Sequence, residues 1–243
     1  VMVVFLNQGM PALSPSAADV SITMGNTPLD KSLLEQISKT EGVDKAFGRM
    51  EMAGLSVSSD VGEGTITLIS YDDNQFEWAK EELNKGSITP AMENTDRVLV
   101  TYQDGVNWKV GDTVVLHTTS GDKQVTIAGI LATSTASAVN GAGSSGYMIC
   151  SEQTFTALVG DLGYTTIDVQ FSSAGGDDTV SAIRSMSPSD STVSDKRITN
   201  SESQSSYYTG AVFIYGFLII IALITVFNIF NSMNASVASR TRQ

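Results

Sequence analysis

Residues 211–230 read AVFIYGFLIIIALITVFNIF. These twenty residues carry no charge, and only Thr225 and Asn228 are clearly polar. At about 1.5 Å per residue, a helix of this length spans ~30 Å, the thickness of the hydrocarbon core of a bilayer. The alternative is a core helix of a large soluble protein. Leu218 to Ile221 and Leu223 to Ile224 leave no polar face, which favours the membrane. The uncharged stretch is longer still, from Ser203 to Ser239, between Glu202 and Arg240. Tyr207, Tyr208 and Tyr215 stand near its start, where amphipathic rings anchor a span at the headgroups.

The flanks give an orientation. Arg240 and Arg242 follow the span with no acid beside them. Basic residues close to a span stay on the cytoplasmic side, so the C-terminus is expected in the cytoplasm and residues 10–205 or so outside it. Lys196 and Arg197 lie on the other side but about 15 residues from the span, a distance at which their pull is weak. At the other end, residues 1–9 read VMVVFLNQG: too short for a span, without the basic start of a signal peptide. They fit the outer end of a preceding transmembrane helix, with a first β-strand as the alternative. The chain begins at Val1 and stops at Gln243 and reads as a fragment of a longer protein.

The extracytoplasmic part alternates between strand and helix patterns. Val20, Ile22 and Met24 share one face of a strand over 18–24. Leu29, Leu33, Leu34 and Ile37 recur at helical spacing, with Gly42 as the stop. Residues 43–57 read as extended and 63–71 as a strand; Asp72 to Asn74 turn or cap a helix over 75–84. This β-α-β-β-α order is a split βαβ pattern. Residues 97–131 change character: runs at 98–102, 113–118 and 124–131 are separated by Asp104-Gly105, Gly111-Asp112 and Gly121-Asp122, as in a small all-β unit. A small-residue loop over 132–146 follows. A strand then leads into a helix capped by Ser151, a strand over 165–171, a helix capped by Asp177 and Asp178, and a last strand over 191–198.

The fold class expected is therefore α+β: a mixed α/β lobe of split βαβ units with an inserted β-rich lobe, followed by a C-terminal transmembrane helix. The divisions expected are 1–9 as the end of an earlier span, 10–96 with 147–200 as the mixed lobe, and 97–146 as the inserted lobe. Residues 201–230 form a stalk and span, and 231–243 a cytoplasmic segment.

Composition excludes several function classes. The 243 residues carry 14 basic and 26 acidic side chains, net −12, which denies a nucleic-acid binder its basic footprint. One cysteine, Cys150, allows no intrachain disulfide and no cysteine-cluster zinc site; one histidine, His117, allows no multi-histidine metal site. Residues 141–146, GAGSSG, match G-x-G-x-x-G, but they precede a strand instead of opening a helix, so no pyrophosphate cradle is expected. There is no P-loop string and no G-x-S-x-G elbow. A hydrolase would have to rely on His117 as its base, and a structural or surface strand histidine is the plainer reading. The pairs Asp72-Asp73, Glu81-Glu82 and Asp177-Asp178 point apart along a helix or turn, so capping and solvation explain them, and no calcium loop motif surrounds the last pair. Cys150 reads as a buried thiol, Trp78 and Trp108 as packing residues. No catalytic residue, cofactor or metal is assigned.

The segment 227–243, FNIFNSMNASVASRTRQ, closely resembles the helix end and short coupling helix of FtsX/MacB-like ABC transporter permeases. Asn228, Asn231, Asn234, Ser236, Val237, Arg240, Arg242 and Gln243 stand in the positions of that pattern, Gln243 replacing a commoner Glu. The block 98–131, with VGDTVVL and VTIAGIL, and the region of Gly86 resemble the extracytoplasmic core domain of the same family. The resemblance implies a non-enzymatic permease subunit that pairs with an ABC-type ATPase, usually dimerises, and passes ATP-driven motion to the outside for export or mechanical work. It implies that Asn234, Ser236, Arg240 and Arg242 face the ATPase; simple anchoring explains the two arginines otherwise. The alternative function is a membrane-anchored extracytoplasmic sensor or ligand-binding domain.

Overall fold

The computed structural model describes residues 17–101, 107–132 and 146–240. The chain divides into two compact units, one ending at Ile198 and one beginning at Thr199. The elements are β1 (Val20–Thr23), α1 (Lys31–Ser38), β2 (Val43–Arg49), β3 (Glu51–Ser59), β4 (Gly62–Tyr71), α2 (Asp73–Ala79) and β5 (Leu83–Gly86). They continue with α3 (Thr89–Glu93), β6 (Arg97–Thr101), β7 (Thr113–Thr118), β8 (Gly121–Leu131), β9 (Tyr147–Ser151) and α4 (Glu152–Val159). The last are β10 (Thr166–Phe171), α5 (Asp177–Met186), β11 (Thr192–Asp195) and α6 (Arg197–Arg240).

Local chemistry sets most boundaries. Asp30 caps α1 by accepting from the Ser32 amide at 2.6 Å. Asp72 and Gln75 form a reciprocal capping box: the Asp72 carboxylate accepts from the Gln75 amide at 2.8 Å, and the Gln75 side chain accepts from the Asp72 amide at 2.9 Å. Ser151 caps α4 as the sequence predicts, accepting from the Thr154 amide. Three expectations shift. α1 ends at Ser38, before Gly42. Gly42, at φ +86°, instead shapes the turn into β2, where a Cβ would sit 2.3 Å from Thr179 Oγ1. α2 stops at Ala79 because Leu83 is needed in β5, opposite Leu131 of β8. Asp177 and Asp178 lie inside α5: the residue before it is Gly176, whose amide donates to Thr179 Oγ1. The short α3, with Pro90 in its first turn, has no counterpart in the sequence reading.

Two sheets organise the first unit. One has the order β11-β1-β10-β2, every neighbour antiparallel. With α1 and α5 as crossovers this is β-α-β-β-α-β, the split βαβ arrangement. Val20, Ile22, Ile167 and Val169 share its inner face and belong to the same apolar core as Leu33, Ile37, Val180 and Ile183 of the helices. The second sheet has the order β5-β8-β6-β9-β4-β3-β7, and a further β7–β8 pairing closes six of its strands into a barrel. β8 is long enough to serve two partners on one edge: Gly121 to Thr126 pair with β7, Gly129 to Leu131 with β5.

Barrel closure explains the strand patterns. Leu55, Val57, Ile66, Leu68, Val98, Val100, Val114, Leu116, Val125, Ile127, Met148 and Cys150 are all buried and belong to one core. Ile69, Tyr71, Leu99, Ala128, Leu131 and Ile149 lie in a second cluster with Phe76, Ala79, Ile88 and Ala91 of the helical segments. Strands covered on both faces read as continuous apolar runs, which is why β4 shows no clean alternation after Ile66.

The sheets divide the chain differently from the expected lobes. The split βαβ strands do come from both ends of the domain. Yet β3, β4 and β5 pair with the barrel strands, so the inserted β-rich part begins at Glu51 instead of residue 97 and runs through β9 at Tyr147–Ser151. Strand pairing across about 40 to 80 residues decides this, and periodicity carries no information about partners.

Candidate functional site

In α6, residues Tyr208–Asn231 form a helix long and apolar enough to cross a membrane. Its large apolar side chains are exposed: Val212, Phe213, Leu218, Ile220, Leu223, Ile224, Phe227 and Phe230 among them. At about 25 cal/mol per Å² of apolar surface, a row of such side chains is very costly in water and favourable in lipid. The Thr225 hydroxyl is satisfied within the helix, donating to the Ile221 carbonyl at 2.9 Å. Of the expected coupling residues, Asn234, Ser236 and Arg240 fall within α6, which runs on as one helix to Arg240. Their side chains, and Arg242 and Gln243 altogether, lie outside the described residues.

Arg197, the first residue of α6, belongs to the first unit and pairs within it. Arg197 Nη2 donates to Asp177 and to Asp195, each at 2.7 Å, and Nε donates to Asp195 at 3.0 Å. Its guanidinium lies over the Phe171 ring, 5.6 Å from the centroid. The Arg197 amide also donates to Asp195 at 3.1 Å, so one carboxylate serves both backbone and side chain and is held below its ordinary pKa, chiefly by the guanidinium hydrogen bond. The last strand therefore ends at Asp195, earlier than expected, because Asp195 turns the chain into the helix.

Other groups with chemical potential are in the first unit. His117, on β7, lies between Asp122 of β8 and Ser58 of β3. Nδ1 is 2.8 Å from Asp122 Oδ1, and Nε2 is 3.0 Å from Ser58 Oγ. Glu82 is 6% exposed, and its Oε2 has no hydrogen-bond partner among the described residues. Burial, with Glu81 beside it, pushes its pKa up to about 7. Arg49 and Asp168 form a buried ion pair, Nη2 to Oδ2 at 3.4 Å, and the Ser21 hydroxyl also donates to Asp168. Cys150 is fully buried, as the sequence reading expects, and burial pushes its thiol well up. Trp78 packs edge-on against Phe47, and Trp108 donates to Ser59 at 3.4 Å. Among the described residues no group of three or more His, Cys, Asp or Glu side chains could hold a metal ion. Residues 141–145 of the GAGSSG string lie outside the described residues; Gly146 is followed directly by β9.

Sequence reasoning missed the His117, Glu82 and Arg49 groupings. The partners of His117 stand 59 and 5 residues away and that of Arg49 stands 119 away, and no local motif marks such pairings.

No protein-family model and no curated protein matches the sequence. Solved structures do match the fold. The periplasmic region of MacB from Actinobacillus actinomycetemcomitans is similar with a TM-score of 0.53 at 12% identity, over 86% of this chain and 97% of that one. The extracellular domain of the noncanonic ABC-type transporter YknZ from Gram-positive bacteria is similar with a TM-score of 0.51 at 11% identity, over 72% of this chain and 98% of that one. The fold of this chain is that of the extracytoplasmic domains of ABC-type transporters of the MacB and YknZ kind.

Proposed function

We propose that the chain is the extracytoplasmic domain and following membrane span of an FtsX/MacB-like ABC transporter permease. The observation that carries this reading is a conjunction: a split βαβ unit with an inserted barrel, similar in fold to the extracytoplasmic domains of two such transporters, is followed in one chain by a 24-residue exposed apolar helix. The 227–243 pattern supports the same class. In this reading residues up to about 205 lie outside the cell, Arg240 and Arg242 lie inside, and 231–243 forms the contact with an ABC-type ATPase. The permease works as a homo- or heterodimer and carries ATP-driven motion outward for export or mechanical work. Helical backbone in lipid favours such transmission, because its hydrogen bonds have no water to exchange with.

Two experiments test it. Ser236→Cys should react with a membrane-impermeant maleimide only after permeabilisation, whereas Ser56→Cys should react on intact cells; the reverse pattern overturns the orientation. Arg240→Glu with Arg242→Glu should abolish co-purification with the ABC-type ATPase that pairs with the permease and uncouple its ATP hydrolysis. Retained coupling would leave the arginines as anchors and remove their role at the ATPase.

A further inference from the structure

The barrel carries a hydrogen-bonded chain that the permease reading does not use. Ser58 Oγ, His117 and Asp122 are linked through the two ring nitrogens, with contacts of 3.0 and 2.8 Å. Their protonation follows from the donor inventory. An ionised Asp122 can only accept, so His117 Nδ1 carries the hydrogen and donates it. In the neutral ring Nε2 is then left with a lone pair, and the Ser58 hydroxyl donates to it. This is the proton arrangement that activates a serine: base on Oγ, carboxylate behind the base.

The scaffold holds the arrangement from three adjacent strands. His117 is opposite Ser56 on one side and Asp122 on the other, and Ser58 is two residues beyond Ser56 on the same outward face of β3. Val57 and Leu116, pointing the other way, are buried in the core. A closed ladder fixes the spacing of the three groups better than a loop could. The site is open: His117 and Asp122 side chains are 43% and 67% exposed.

We propose that Ser58 is an activated nucleophile, acylated or phosphonylated at Oγ by activated acyl and phosphonyl donors, with His117 as its base and Asp122 as the residue that orients the imidazole. This goes beyond the permease reading and does not depend on it. In the step, Ser58 Oγ bonds to the acyl carbon or the phosphorus while its proton moves to His117 Nε2. The bond to the leaving group breaks with its electron pair, and the leaving group takes that proton from Nε2. The neutral ring is restored and no redox partner is needed. The strand backbones are committed to pairing, so the acceleration comes from the base alone, about 10²–10⁴-fold. An open face also predicts little discrimination among donors.

The test treats the full chain in detergent micelles with a fluorophosphonate probe and maps the labelled peptides over time. Ser58 should react at least about 100-fold faster than Ser56, an exposed hydroxyl on the same strand and face. His117→Ala should bring Ser58 down to the rate of Ser56, and Asp122→Asn should slow it. His117→Gln keeps a polar side chain between the strands without supplying a base; it should also lose the reactivity while the Trp78 and Trp108 fluorescence melt stays in place. Equal labelling of Ser58 and Ser56, or labelling that survives His117→Ala or His117→Gln, overturns the proposal and leaves the three groups as a cross-strand stitch.

Discussion

The two sheets of the first unit bury a carboxylate in opposite ways. In the four-stranded sheet, Asp168 of β10 faces Arg49 of β2 and accepts from Ser21 of β1, so three strands meet at one charge. Beside the barrel, Glu82 sits in the turn between α2 and β5 with Oε2 unpartnered among the described residues and its pKa pushed up to about 7. The first solution keeps the charge and surrounds it; the second gives up the charge near neutral pH. A buried pair is sensitive to loss of either member, whereas a buried acid without a partner is sensitive to pH.

The largest test of that contrast is Arg49→Met. It leaves Asp168 buried without a counter-charge and should cost about 3–5 kcal/mol of stability. Denaturant unfolding followed by tryptophan fluorescence reads this directly, and Arg49→Met combined with Asp168→Leu should recover most of the loss. Full stability of the single variant would mean that the pair is not held in the folded protein.

Glu82 comes next. Its folded pKa of about 7 lies above the ordinary value of 4.5, so the folded state keeps a proton that the unfolded state releases. The stability contribution is complete below pH ~4.5, falls as pH rises to ~7, and is flat above that, a change on the order of 3 kcal/mol. Glu82→Gln should remove this slope and be the more stable protein at pH 8. Parallel pH profiles for the two proteins would show that Glu82 is solvated.

Ser21→Ala is smaller. It removes one partner of Asp168 but leaves Arg49, at a cost of about 1–2 kcal/mol in the same unfolding experiment. The smallest effect concerns helix starts. Asp72→Ala breaks the capping box of α2 and should cost about 1 kcal/mol. Part of the cap's value is already offset, because burial raises the Asp72 pKa against the hydrogen bonds that lower it. Asp30→Ala at α1, whose cap is exposed and has no reciprocal arm, should cost less than Asp72→Ala.

How much was legible differs by element. The Ser151 cap, the β7 limits and the strand around Ile167 and Val169 were readable because each depends on neighbours within a few residues. The β4 run was harder, since Ile66 to Tyr71 is buried on both faces and periodicity then vanishes. The end of α2 was misplaced because Leu83 is recruited by Leu131, about fifty residues on. His117 was singled out as a lone base candidate. Its serine and its aspartate were invisible, since Ser58 reaches it only through the β3–β7 pairing and Asp122 only through the turn between β7 and β8.

By itself the sequence determined the apolar span, the acidic balance and the alternation of strands and helices, because each follows from composition and short-range spacing that water or lipid acts on directly. Only the tertiary structure decided that the barrel starts at Glu51, that Arg49 meets Asp168, and that Glu82 is buried. Those outcomes depend on which strands pair. Pairing is a choice among distant segments of similar propensity, settled by the packing of the whole core.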